Sequence, residues 1–238
     1  MTIFQKIKSL KPKQIIIIFI IICITLAAIK FLPFVRFVNF VHSESNPKET
    51  VTNAIEQIKN APAIGFKTVS ILNVNGNRRE YGDITGELLK NGDFHIKGSI
   101  LGSDIDLYQI NNSTYRFDNI SQRWQKTEEN PELYQTSLFN ETNPLEQFKI
   151  SDLGTVKKAQ GGEKNQIGFT FMPTLTDDSI SRYFTDITYT VYCGRDGDLQ
   201  KTVINGILTN NSVRGELNIV TEFSPLPENY QITPPIIE

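Results

Sequence analysis

Residues 187–193 read Ile187-Thr188-Tyr189-Thr190-Val191-Tyr192-Cys193, and residues 213–223 read Val213-Arg214-Gly215-Glu216-Leu217-Asn218-Ile219-Val220-Thr221-Glu222-Phe223. Within the first run Ile187, Tyr189, Val191 and Cys193 alternate with Thr188, Thr190 and Tyr192. Within the second Val213, Gly215, Leu217, Ile219 and Phe223 alternate with Arg214, Glu216, Asn218 and Glu222. Successive side chains of a strand point to opposite faces, so a period of two predicts strands with one dry and one wet face. Phe94, Ile96, Gly98 and Ile100 alternate in the same way with His95, Lys97 and Ser99, and Ile167, Phe169 and Phe171 with Gly168 and Thr170. Asn75-Gly76, Asn91-Gly92, Gly161-Gly162, Asp196-Gly197 and Asn210-Asn211 separate these runs. Asn-Gly and Asp-Gly suit tight hairpin turns whose twist matches that of strands, so neighbouring strands are expected to pair antiparallel.

Helical signals flank and interrupt the strands. Asn46 followed by Pro47 reads as a capped helix start, and Val51, Ala54, Ile55 and Ile58 fall at helical spacing up to Asn60-Ala61-Pro62. Pro131 to Phe139 has room for a turn or two of helix. Asn143-Pro144, then Leu145, Phe148, Ile150 and Leu153, predicts a helix ending at Gly154. Thr176-Asp177-Asp178 predicts another, with Ile180, Tyr183 and Phe184 on one side. The fold class is therefore α+β: a long antiparallel sheet with a few helices over its apolar face, which would otherwise lie open to water.

The N-terminal segment differs from all of this. Lys6, Lys8, Lys11 and Lys13 precede an apolar run centred on Ile15-Ile16-Ile17-Ile18-Phe19-Ile20-Ile21-Ile22. Ile15 to Ile29 makes about 22 Å of helix, short for a hydrocarbon core of about 30 Å. Continued through Val35, with Lys30 snorkelling to an interface, it reaches about 31 Å. Residues 1–14 then form a basic segment, 15–35 a transmembrane signal anchor, 36–46 a linker and 47–238 the folded domain. A cleaved signal peptide is the alternative. Retention is expected because Leu26 stands where a cut after Ala28 would want a small residue. Cys23 follows Ile22 rather than a small residue, which argues against lipidation there. Four Lys before the span, against Lys30 and Arg36 after it, place the N-terminus in the cytoplasm and the domain outside the cell membrane.

Charge narrows the function. The chain carries 24 basic and 26 acidic residues. The first acid is Glu44, so the part from there on is distinctly acidic. Such a body does not suit nucleic acid, which needs clustered Lys and Arg, nor a polybasic lipid-headgroup patch. Cys193 is alone in the domain, so no disulfide forms within it, and its alternation with apolar residues reads as a small buried side chain.

Catalytic and cofactor patterns are missing. His42 and His95 are the only histidines, and they do not share an element. His95 falls on the wet side of its strand and reads as a solvated side chain. There is no Gly-x-Ser-x-Gly, P-loop or Gly-x-Gly-x-x-Gly. Asp104 with Asp106 and Asp196 with Asp198 are paired carboxylates, but neither pair has the glycine and terminal Glu of a calcium loop. Trp124 is the single tryptophan and reads as a half-buried strand aromatic rather than a sugar-stacking platform. No enzymatic activity, metal or cofactor is expected.

The order of elements resembles the LolA / LppX–LprG-type lipoprotein carriers of bacteria. Ser113-Thr114-Tyr115-Arg116-Phe117 and Arg123-Trp124 resemble that family's Tyr…Trp strand pair, and Asn143-Pro144-Leu145 its helix start. Gly161-Gly162-Glu163 through Phe169 resembles the hairpin that follows, and Asp196-Gly197-Asp198-Leu199 the turn into its late strands. Val220-Thr221-Glu222-Phe223-Ser224 and Ile232-Thr233-Pro234-Pro235 resemble the closing strand and tail. The likeness runs from about Lys48 to Pro235. One departure stands out: the mycobacterial members carry an acylated Cys and LolA is a free periplasmic carrier, whereas this chain is expected to be held by a helix.

The resemblance implies a curved half-barrel wrapping helices around an apolar cavity that accepts acyl chains of a lipid or lipoprotein. Its expected lining on the earlier strands is Phe94, Ile96, Ile100, Ile105 and Leu107. On the later strands it is Phe169, Phe171, Tyr189, Val191, Leu217 and Ile219. The competing reading keeps the same fold with a filled interior, as a tethered sensory or structural ectodomain that meets a protein partner through a loop such as 128–143.

Overall fold

A hairpin-built sheet dominates the computed structural model, which describes residues 46–111, 113–127, 143–176, 183–208 and 215–237. The expected membrane anchor, residues 15–35, lies outside the described residues, as do the 131–139 segment and most of the helix expected after Thr176. Among the described residues no helix is long and apolar enough to cross a membrane.

Helix α1 spans Pro47–Asn60. The Asn46 side chain accepts the Lys48 backbone N–H, and Pro47 costs nothing in the first turn because its missing N–H would have had no partner there. Strands β1 (Ala63–Val74), β2 (Asn77–Leu89), β3 (Phe94–Ile100), β4 (Ser103–Ile110), β5 (Ser113–Asp118) and β6 (Arg123–Thr127) follow as successive hairpins. Short strands β7 (Ile150–Asp152) and β8 (Lys157–Ala159) precede β9 (Ile167–Phe171) and β10 (Thr174–Leu175). Then come β11 (Phe184–Cys193), β12 (Leu199–Leu208) and β13 (Gly215–Pro225).

Eleven strands form one sheet in the order β6-β5-β4-β3-β2-β1-β13-β12-β11-β9-β8, and β7 with β10 forms a separate pair. All the pairings are antiparallel, so the hairpin reading holds for the described turns; Asn210-Asn211 lies outside the described residues. The closing strand β13 inserts beside β1 and joins the early hairpins to the late ones. Strands β6 and β8 end the sheet without pairing to each other, so it is open and not a closed barrel.

Alternation sorts the two faces. Toward the inner face, Val51, Ala54 and Ile55 of α1 pack with Phe169, Phe171, Tyr189, Val191 and Ile204 in one cluster. Ile64, Phe66, Ile84, Leu88, Phe94 and Ile96 make a second, and Ile58 of α1 and Phe223 of β13 touch both. Polar groups buried among them are paired. Thr68 and Thr221 hydroxyls lie 3.1 Å apart, and Thr202 donates to Gln147 Oε1 at 2.9 Å. Burial pushes the Tyr189 hydroxyl well above its ordinary value, and that hydroxyl donates to the Gln147 carbonyl at 3.0 Å.

The helix expected from Asn143 to Gly154 is not there. Asn143 does accept the Leu145 N–H at 3.0 Å, but the coil stops after one 3-10 turn, Glu146–Phe148. Ile150 and Ser151 then enter β7, and Gly154 takes φ +66°. Burial of the Phe148 ring, 1 % exposed, outweighs the weak helical propensity of this stretch. Among the described residues α1 is the single α-helix, and it packs on the inner face.

Candidate functional site

The linker between α1 and β1 is short and contains Pro62, so the helix end and the strand start stay close together. Around that corner the end of β13, the start of β12 and the loop between β8 and β9 converge. Together they enclose a half-open cleft of about 560 Å³ at one rim of the sheet. Its apolar walls include Ile58, Ala63, Ile64, Leu199, Phe223 and Leu226. Its mouth is polar. Gln166 Nε2 donates to Gln200 Oε1 at 3.0 Å, and Gln200 Nε2 donates to Asp198 Oδ2 at 3.0 Å. The Lys201 ammonium pairs with Glu222 at 3.1 Å. Glu163, Asp198, Glu222 and Glu228 thus face a single basic side chain, Lys201, and the mouth is acidic. Below it, burial and then the charge of Asp198 push the Cys193 thiol up to about 12, which keeps it protonated and inert.

None of the side chains expected to line a cavity borders this cleft. Phe169, Phe171, Tyr189 and Val191 are buried in the first cluster, with Ile219 packed against it. Phe94 and Ile96 are buried in the second, with Ile100, Ile105 and Leu107 packed against it. Leu217 is half-buried on β13. The cleft residues escaped the sequence reading because they belong to the ends of elements, where alternation is shortest. The one usable signal was the proline bracket of Pro62, Pro225 and Pro227, which marks where chain segments leave the sheet.

On the outer face the structure corrects the reading of His95 as a solvated side chain. The ring is only 19 % exposed. Its Nδ1 lies 3.1 Å from Glu87 Oε2 and its Nε2 2.9 Å from Asp106 Oδ1, across β2, β3 and β4. Carboxylates from the two neighbouring strands thus bracket both ring nitrogens. It stacks on Tyr108 at 3.9 Å, and Tyr108 meets Trp124 edge-on at 5.3 Å. Burial first, then the charges of Asp106 and Glu87, raise the Tyr108 hydroxyl above its ordinary value. Trp124 is half-buried on β6, as the sequence indicated, and Phe117 packs on it at 5.3 Å. The ring joins β3 to β2 and β4 through its two nitrogens. It is a strand-to-strand clamp.

Structure and cleft define a class: an open antiparallel sheet with one helix across its inner face and an apolar cleft at its rim. No protein-family model matches the chain, and no curated protein matches it. Among solved structures it is similar to LprF from Mycobacterium bovis, with a TM-score of 0.47 and 6 % identity over 77 % of this chain and 96 % of that one. It is also similar to a DUF1329 family protein from Desulfovibrio piger, at a TM-score of 0.31 and 7 % identity over 79 % and 93 % of the two chains. The MucA/MucB complex of Pseudomonas aeruginosa matches at a TM-score of 0.30 and 13 % identity, over 79 % of this chain and 61 % of that chain.

Proposed function

We propose that this chain is a membrane-anchored, extracytoplasmic binding module, not an enzyme, and that it holds an acyl chain of a lipid or lipoprotein in the rim cleft. The observation that carries the reading is the cleft itself. A volume of about 560 Å³ falls within the ordinary range of small-molecule pockets, and its wall of Ile, Ala, Leu and Phe side chains suits an alkyl tail. Each buried methylene contributes about 0.8 kcal/mol, so eight of them supply about 6 kcal/mol before the costs of association, without any charged contact. The acidic mouth disfavours an anionic head and favours a neutral or cationic one.

The test is native mass spectrometry of the detergent-purified full chain, together with titration of a fluorescent fatty amine. Co-purified lipid, saturable uptake of the probe, and loss of uptake in Leu226→Glu support the reading. Absence of both lipid and uptake overturns it.

A second reading has one observation in its favour. Except for Leu217, the side chains that the family resemblance assigns to a cavity belong to the two clusters or pack against them. A tethered ectodomain with a filled interior, meeting a protein partner, fits that packing. It predicts that Leu226→Glu leaves partner capture intact.

A further inference from the structure

The end of the sheet opposite the cleft carries apolar side chains where hairpins normally present polar ones. Ile120 sits at the tip of the β5–β6 hairpin and is 95 % exposed. Leu101 sits at the tip of the β3–β4 hairpin and is 68 % exposed. Tyr81 on β2, 41 % exposed, lies beside Leu101, whose N–H donates to the Tyr81 carbonyl at 2.8 Å. The two tips are tied together, since Asn119 Nδ2 donates to the Asp104 carbonyl at 3.3 Å. Tyr81, Leu101 and Ile120 therefore form a row across three successive hairpins, β1–β2, β3–β4 and β5–β6. Antiparallel alternation puts Ile207, near the end of β12, at the same end of the sheet.

Leu101 is displayed against its own conformational preference. Ile100 and Ser103 pair, so Leu101-Gly102 is a two-residue turn, and both residues have positive φ, +51° and +76°. The β1–β2 hairpin uses the same turn with Asn75-Gly76, at φ +52° and +82°. Asn tolerates that left-handed backbone and Leu resists it. An exposed Leu in the place where the same protein elsewhere uses Asn breaks a local rule without a gain in the folded domain, which marks a surface with a task. Ile120 is held just as deliberately. The Asp118 carboxylate accepts the Ile120 N–H at 2.9 Å and the Ser121 hydroxyl at 2.7 Å, and this fixes the turn that presents it.

We infer that this row is a lipid-surface contact, through which the tips dip into the interface of the bilayer that anchors the chain. Two features select a lipid surface over a protein. The side chains stand singly on projecting turns, a shape that enters a soft interface and leaves a flat partner poorly covered. The sequence also confines the domain, and the inference rests on that reading of residues 15–35 as an anchor. Residues 36–46 reach at most about 40 Å when fully extended, so a bilayer is always close by. Charges beside the row are of both signs, Arg78, Arg79 and Arg123 with Glu80, Asp104 and Asp118, so contact depends on apolar insertion and little on salt.

The test uses the full chain in phosphatidylcholine vesicles, with Trp124→Phe removing the single native tryptophan. Tryptophan is then introduced one site at a time, as Ile120→Trp, Leu101→Trp, Tyr81→Trp and, at the cleft end, Glu228→Trp. Vesicle sedimentation reports the anchor separately. The expected result is a blue shift and quenching by bromine-labelled lipid at 120, 101 and 81 but not at 228, unchanged in high salt. Leu101→Glu combined with Ile120→Glu abolishes the quenching at 81 while the chain still sediments with vesicles. Equal quenching at both ends, or none at 120 in a chain that sediments, overturns the inference. So does a blue shift at 120 that grows with protein density at constant lipid, which would make the occupant a second copy. A chain that fails to sediment and shows no quenching overturns both the anchor and the contact.

Discussion

Leu101→Asn should make the protein more stable and its membrane contact weaker. Leu101 has φ +51° in a two-residue turn, and a left-handed backbone costs an ordinary side chain about 1–2 kcal/mol. Asn75 shows that this chain builds the same turn with Asn at φ +52°. The Leu side chain is 68 % exposed, so little burial is lost on replacement. The net expectation is a gain of about 0.5–1 kcal/mol. For a domain of this size that is about 1–4 °C in Tm. Differential scanning fluorimetry of the full chain in mild detergent reads the shift, and the lipid-quenching assay with tryptophan at 120 reads the contact. The reasoning requires opposite signs: Tm up, quenching down. A lower Tm would mean that the Leu101 side chain supports the fold after all. In that case its position in the turn is structural and the argument from a broken local rule fails.

Three further expectations follow from the packing and the shifted groups. Phe148→Ala should cost about 3–5 kcal/mol, since a ring 1 % exposed leaves a cavity behind it. Its neighbour Phe223, 6.1 Å away, lines the cleft, so the variant should also accept a bulkier acyl probe; a loss under about 1 kcal/mol in urea unfolding would show that the 3-10 turn is not part of the core. The Asp152 carboxyl is held below the usual carboxylate range, first by the Lys48 hydrogen bond at 2.8 Å. A depressed carboxyl contributes stability above its unfolded value of about pH 4 and loses it as pH falls through the lowered folded value; Lys48→Met should raise its titration midpoint in carbon-detected NMR, and an unmoved midpoint would refute the pairing. The Cys193 thiol, pushed up to about 12, should resist iodoacetamide at pH 8 in the native chain and react once the protein is unfolded, as read by peptide mass spectrometry. Modification at the same rate in both states would contradict its burial.

The late strands were legible because their faces differ sharply. Tyr189, Val191 and Cys193 are buried and the residues between them are not, so a period of two survives in the sequence. Strand β1 was not legible in that way. Beyond its buried start at Ala63 to Phe66 it is partly exposed over much of its length, and Thr68 on the inner face looks polar in sequence although it pairs with Thr221. The 143–154 segment misled for another reason. Its cap was real, but the single turn ends where Phe148 meets the core, and no periodicity reports where a side chain must be buried. His95 shows a third limit. Its position on the outer face was correct, but Glu87 and Asp106 come from neighbouring strands, and register is invisible until the strands are paired.

The two ends of the sheet differ in character, and this organises what the molecule can do. At one rim the cleft has an apolar wall and an acidic mouth, Glu163, Asp198, Glu222 and Glu228 against Lys201. At the other, Leu101 and Ile120 project from pinned turns. An alkyl tail is stabilised in either setting by the same removal of apolar area from water. The difference lies in depth: the cleft can enclose a tail, whereas the tips can only touch an interface. If both readings hold, the tips fix the orientation of the domain on the bilayer and turn the acidic mouth away from it. Cargo would then enter from the aqueous side or from another carrier, and direct extraction from the anchoring membrane would require the domain to tip over. That gives a joint consequence. Leu101→Glu with Ile120→Glu frees the orientation and should speed exchange of a fluorescent acyl amine between vesicle and cleft, while Leu226→Glu should stop it. Slower exchange in the first variant would mean that the tips assist extraction, and the assignment of opposite tasks to the two ends would be wrong.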